Sequence, residues 1–119
     1  MTTNLKKKAT AAVLAVVMVG LAAGTAWAQQ VARVGAFSSA SWNLWGNAGE
    51  TITVTVIGDG DTDLDLYILD GNGRVVVADE DASDYCVVRF TVTRGGYFTV
   101  MVRNLGGVYN EYRISTSIR

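Results

Sequence analysis

The chain has 119 residues, half of them hydrophobic, with a formal net charge of −1, no histidine, no proline and a single cysteine. This slightly acidic balance argues against a nucleic-acid partner, which requires a basic face, and one cysteine excludes an internal disulfide. Without histidine the commonest general base is missing, so only carboxylates remain for hydrolytic chemistry.

Residues 1–28 predict a cleaved signal peptide. Lys6, Lys7 and Lys8 precede an apolar stretch over residues 9–23, and Ala26 and Ala28 stand where signal peptidase reads small residues. We therefore expect export, cleavage before residue 29 and a secreted or periplasmic domain over residues 29–119 with no membrane attachment. A retained anchor is the alternative, but a bilayer span needs about 20 strongly apolar residues and this stretch is rich in Ala, Gly and Thr.

The rest of the chain predicts seven or eight short strands separated by turns of glycine and asparagine. The runs are rich in Val, Thr, Ile, Tyr and Phe and alternate between apolar and polar positions. In chain order, we expect a strand or extended segment at residues 29–37 and strands at 41–45, 50–57, 63–69, 74–78, 86–92, 97–103 and 111–117. With no amphipathic helix between them, these elements predict an all-β, antiparallel, jelly-roll-like β-sandwich.

The most regular strand is the one over residues 63–69. Leu64, Leu66 and Ile68 share one face, which we expect to be core, and the alternate residues meet solvent or a partner. The glycine-containing turn at residues 70–73 then predicts a hairpin with the next strand.

The lone cysteine, Cys86, begins a strand. We interpret it as a small buried apolar side chain, and the alternative is an intermolecular disulfide, which a partly exposed thiol would permit.

Acidic residues are concentrated in two loops, at residues 58–65 and 79–84, which the hairpin brings near each other. Calcium takes about six to eight oxygen ligands in irregular geometry. The first loop is not an EF-hand, because leucine stands where that motif requires glycine and no helices flank it. We predict a calcium site formed by Asp61, Asp63, Asp65, Asp79 and Asp81. The alternative is a pair of solvated turns.

A series of short motifs, in this order and spacing, resembles the bacterial pre-peptidase C-terminal domain. They are WNL at 42–44, AGETITV at 48–54, DLDLY at 63–67, GNG at 71–73, GYFTV at 96–100 and YRI at 112–114. The resemblance spans about residues 37–116 and implies a jelly-roll-like sandwich that serves as a non-catalytic accessory or binding module. Of the predicted calcium ligands, Asp63 and Asp65 match the family pattern. Collagen binding, known in relatives within collagenases, is not implied.

The sequence thus predicts an exported, non-catalytic module that binds an extracellular protein or polysaccharide and is stabilised by calcium. A secreted protease acting in trans is one such partner. The alternatives are a structural envelope protein without a specific ligand and a small hydrolase that uses two carboxylates. Exposed coplanar aromatic side chains would favour the binding module, and a uniformly polar surface the structural protein. Tyr67, which shares its face with Asp65, would suit such a contact if it is exposed.

Overall fold

The computed structural model describes residues 29–119, which form eight β-strands. In chain order these are β1 Gln30–Val34, β2 Ser39–Gly46, β3 Thr51–Ile57, β4 Leu64–Leu69, β5 Val75–Asp79, β6 Tyr85–Thr91, β7 Gly96–Asn104 and β8 Asn110–Ile118. The predicted signal peptide at residues 1–28 lies outside the described residues. Across the part of the chain described, no helix is long and apolar enough to span a membrane.

The strands pack as two four-stranded sheets with the orders β1-β8-β3-β6 and β2-β7-β4-β5. All neighbouring strands are antiparallel. Consecutive strands alternate between the sheets except at the β4–β5 hairpin, which is the strand order of an eight-stranded jelly roll. The predicted antiparallel jelly-roll-like sandwich is confirmed.

The core lies between the inner faces of the two sheets. Alternation turns Ile52, Val54 and Val56 of β3 inward, and each is fully buried in one cluster with the inward residues of the other sheet. Within this core the indole Nε1 of Trp42 on β2 donates to the buried hydroxyl of Tyr112 on β8 at 3.0 Å, a polar contact between the two sheets. Burial raises the pKa of Tyr112 to about 12, so its hydroxyl stays neutral in the core.

The β4–β5 hairpin forms as predicted, with a register shift between Ile68 and Leu69. Its turn is organised by Asp70, whose Oδ1 accepts hydrogen bonds from the amides of Asn72 at 2.8 Å and Arg74 at 3.0 Å. These backbone hydrogen bonds lower the pKa of Asp70. Gly73 adopts a positive φ of 81°, which a glycine accepts without strain.

Cys86 lies in the core, as predicted, and is fully buried on β6. Its Sγ donates to the carbonyl oxygen of Leu64 at 3.2 Å. Burial raises the pKa of this thiol to about 12, with nearby carboxylates acting in the same direction. The side chain is therefore a protonated thiol without access to solvent. An intermolecular disulfide would need a partly exposed thiol, and Cys86 is fully buried.

Candidate functional site

Four loops meet at one end of the sandwich, at residues 35–38, 58–63, 80–84 and 105–109, and we name this region the loop end. Backbone hydrogen bonds join the loops to one another. Phe37 N donates to Gly106 O at 3.0 Å, Leu105 N to Asp63 O at 3.0 Å, and Gly58 N to Asp84 O at 2.8 Å. Each loop is thus attached to a neighbour by its main chain.

The buried side chain of Asn104, at the end of β7, holds two of these loops in place. Its Nδ2 donates to the carbonyl oxygens of Gly35 at 3.1 Å and Val108 at 2.8 Å, and lies 3.3 Å from that of Val34. Its Oδ1 accepts from Gly106 N at 2.9 Å. One amide therefore satisfies main-chain groups that would otherwise be buried without partners.

A second buried asparagine, Asn110 at the start of β8, holds the other two loops. Its Oδ1 accepts from Asp59 N at 3.0 Å, and its Nδ2 donates to Thr62 Oγ1 at 3.0 Å and faces Asp84 Oδ2 at 3.4 Å. Asp59 in turn accepts from the amide of Glu111 at 2.9 Å. The two asparagines therefore make the loop end a single hydrogen-bonded unit.

Two glycines let the loops approach more closely than any other residue would allow. A Cβ at Gly58 would collide with the side chain of Asp84, and one at Gly106 with the side chain of Thr62. Both glycines are therefore required by packing between loops.

Phe37 stands at the corner between β1 and β2 and has the most unusual backbone of the loop end. Its φ is 53°, the only positive value at a non-glycine residue within residues 29–119. Its side chain is 76% exposed, and Leu105, on the adjoining loop, is 39% exposed. A bulky residue in this conformation is strained, and such outliers persist only where the surroundings enforce them. Sequence reasoning missed Phe37, since no local pattern marks a phenylalanine for positive φ.

The two acidic loops come together as the sequence predicted. Gly60 N donates to Asp84 Oδ2 at 2.6 Å, and Leu64 N to Ser83 O at 3.2 Å. Several carboxylates accept hydrogen bonds from groups in or next to these loops. Asp79 Oδ2 accepts from Val87 N at 2.9 Å, and Asp81 Oδ1 accepts from Ser83 Oγ at 3.2 Å.

The five predicted calcium ligands therefore occupy different environments. Asp61 is exposed, and Asp79 and Asp81 make the contacts above. Asp63 and Asp65 each have a buried Oδ1 without a hydrogen-bond partner. Residues 29–119 contain no group of three or more Asp, Glu, Cys or His side chains placed to hold a metal ion. Calcium binding stays a prediction, and the orphaned oxygens of Asp63 and Asp65 are the part of the set that suits a cation.

Asp65 is only 6% exposed, although alternation places it on the outer face of β4. Burial raises its pKa, with a hydrogen bond from Tyr67 opposing that rise. Burial also raises the pKa of Asp63, reinforced by the charges of Asp81 and Asp84. Both carboxylates are therefore held in surroundings that disfavour their charge.

Tyr67 bridges two carboxylates on this outer face. Its hydroxyl lies 2.6 Å from Glu80 Oε2 and 3.2 Å from Asp65 Oδ2. The hydrogen bond to Glu80, followed by burial, raises the pKa of Tyr67 to about 12. Because the hydroxyl has one proton, it can donate fully to only one of the two acids. Tyr67 is thus a half-buried contact for the acidic loops and not a freely exposed ring.

An exposed aromatic pair lies at the opposite end of β7. Trp45 and Tyr97 contact edge to face, with ring centroids 4.9 Å apart and planes at 81°. Trp45 Nε1 also donates to Asn47 Oδ1 at 3.0 Å. The two rings do not form the coplanar surface on which a sugar stacks.

No profile of a known protein family and no curated protein matches this chain. Solved structures similar to it include two periplasmic proteins. The first is Aeromonas hydrophila PliG, a periplasmic inhibitor of g-type lysozyme, with a TM-score of 0.66 and 17% identity over 85% of this chain and 93% of that one. Salmonella Typhimurium PliG, with the same description, has a TM-score of 0.56 and 15% identity over 85% and 95% of the two chains. At these identities the similarity shows the fold alone.

Proposed function

We propose that this chain is an exported, non-catalytic module that binds a protein through its loop end, and that this protein is a lysozyme-type enzyme, which it inhibits. The observation that carries the proposal is the loop end itself, in which two buried asparagines fix four loops, one of which carries the exposed Phe37. Loops fixed in advance lose little freedom on binding, which favours affinity. The fold shared with two periplasmic inhibitors of g-type lysozyme supports both the partner class and the compartment.

The chemistry of the described side chains supports a non-catalytic role. Cys86 is a buried thiol that stays protonated, and Asp59, Asp79 and Asp84 accept hydrogen bonds from backbone amides. These acids stabilise loops, which accounts for their presence without any catalytic task.

The test is inhibition of lysis. Purified residues 29–119 are added to a g-type lysozyme acting on a suspension of bacterial cell walls, with a c-type lysozyme assayed in parallel. We expect the lytic rate to fall in proportion to added protein until the enzyme is titrated. Undiminished lysis by both enzymes at large molar excess would contradict the proposal.

A second candidate function follows from the orphaned oxygens of Asp63 and Asp65. We propose, on the resemblance to pre-peptidase C-terminal domains, a calcium-stabilised accessory module for an extracellular protein such as a secreted protease, or for a polysaccharide. Binding of the purified domain to proteases and polysaccharides, measured with calcium and with a chelator, separates this candidate from the first. Calcium-dependent capture without lysozyme inhibition would favour it.

A further inference from the structure

Phe37 is the most exposed large hydrophobic side chain in residues 29–119, at 76%. An exposed phenylalanine in a strained backbone conformation contributes little to the stability of the isolated domain. Its ring lies beside the neighbouring loop, where a Cβ added at Gly107 would come within ordinary van der Waals distance of it. The fold thus presents this ring to the outside.

The structure also prevents Phe37 from folding back onto the core. Its amide is held by Gly106 O at 3.0 Å, and the next residue, Ser38, is held on both sides by Gly35 O at 3.2 Å and Asn104 N at 2.8 Å. The carbonyl of Gly35 is further held by the Asn104 side chain. An exposed aromatic side chain on a backbone held in this way is of the kind enriched at protein interfaces, where a few such residues carry most of the binding free energy.

The loop end that carries this ring is acidic. The four loops of the loop end contain six carboxylates, Asp59, Asp61, Asp63, Glu80, Asp81 and Asp84, and no arginine or lysine. The nearby Arg33 is engaged by Glu111 at 3.7 Å and by the ring of Tyr109 at 4.7 Å. A partner that binds the loop end therefore contacts the exposed ring of Phe37 and a surface that carries several carboxylates.

We propose that Phe37 is the anchor through which this module engages its partner, and that the partner presents an apolar pocket bordered by lysine or arginine. This inference rests on the proposed function and specifies the contact surface of the same site. Charge complementarity selects a basic protein, because the acidic loops repel anionic lipid surfaces and nucleic acids.

The experiment measures inhibition of a g-type lysozyme by the wild-type domain and by Phe37→Gly, with Tyr97→Ala as the matched control. Tyr97 is an exposed aromatic residue, 65% accessible, at the far end of β7. Glycine accepts the positive φ at position 37, so this variant keeps the loop conformation while removing the ring. We expect Phe37→Gly to weaken inhibition by roughly 30-fold or more, as for a binding hot spot, and Tyr97→Ala to leave it unchanged. Melting temperatures of both variants verify folding.

A second variant tests the charge requirement. Asp61→Asn with Asp81→Asn removes two charges while keeping side chains of the same size. We expect a slower association rate and a weaker dependence of that rate on ionic strength than in the wild type. Retained inhibition in Phe37→Gly, or inhibition by the wild type that is independent of salt, would overturn this inference while leaving the proposed function intact. Absence of inhibition by the wild type would overturn both.

Discussion

The left-handed backbone of Phe37 lowers the stability of the domain at the same residue that we propose as the binding anchor. A left-handed backbone costs an L-amino acid about 1–2 kcal/mol, and glycine escapes that cost. We expect Phe37→Gly to keep or raise the free energy of unfolding by up to about 1 kcal/mol, because the exposed ring contributes little packing. Urea denaturation measures the unfolding free energy of this variant. Phe37→Ala, which retains a β-carbon, is the control. A glycine variant less stable than the alanine variant would show that the backbone is not strained.

Asp65 provides a pH-dependent prediction. Its pKa in the folded protein is raised above the ordinary value of 3.8, chiefly by burial, so the charged form disfavours folding. The wild type should therefore lose stability as pH rises from below 3.8 through the folded pKa, and Asp65→Asn should be the more stable protein at neutral pH. Melting temperatures across the acidic range should show the two proteins converging as pH falls. A constant difference at every pH would exclude this titration.

Bound calcium should neutralise the carboxylates of Asp63 and Asp65, each with a buried Oδ1, and so stabilise the folded domain. At about 100 times its dissociation constant, a ligand that binds only the folded state adds about 2.7 kcal/mol, which is several degrees of melting temperature for a small domain. Asp63→Asn with Asp65→Asn should abolish that increment. Magnesium at the same concentration is the control. If calcium and magnesium raise the melting temperature of the wild type equally, the predicted calcium site is wrong and the acidic loops are solvated turns.

At the scale of strands and loops, Asn104 connects the end of β7 to two loops. In Asn104→Ala several buried carbonyl groups lose a donor and Gly106 N loses its acceptor, at a cost of about 1–3 kcal/mol for each group left unsatisfied. We expect a loss of at least about 2 kcal/mol in unfolding free energy, together with faster hydrogen exchange at the amide of Phe37. The exposed Asn43 on β2 supplies the control, since Asn43→Ala should change stability by no more than about 0.5 kcal/mol.

The strands were predictable because alternation is a local property. Each expected element appears within about one to three residues of its boundaries in the structure, with the longest difference at the end of β1. The burial of Asp65 was not predictable in the same way. Alternation assigns it correctly to the outer face of β4, but Tyr67 contacts it there and is itself held by Glu80, and the contact with Glu80 belongs to the tertiary structure.

The candidate site could be predicted only in part for a related reason. The pairing of the two acidic loops follows from the hairpin, which sequence indicates. The hydrogen bond between Asp79 and Val87 N, which occupies a predicted calcium ligand, depends on how β6 crosses to the other sheet. The position of Phe37 depends on Gly106, which lies far along the chain.

For the molecule as a whole, the jelly-roll order determines when a stable fold can form. β8 lies between β1 and β3 in its sheet, so the first strand has no sheet neighbour until the last strand is present. We expect a chain ending at Tyr109 to remain unfolded, as judged by circular dichroism and protease sensitivity. A truncation of Arg119 alone is the control, and folding of the shorter chain would contradict the expectation.

This order has a consequence for biosynthesis. Because β1 pairs only with β8, a chain that emerges from its N-terminus first cannot complete this sheet until β8 has emerged, and pairing of strands so distant in sequence is slow. The jelly-roll topology thus makes closure of this sheet one of the last steps of folding.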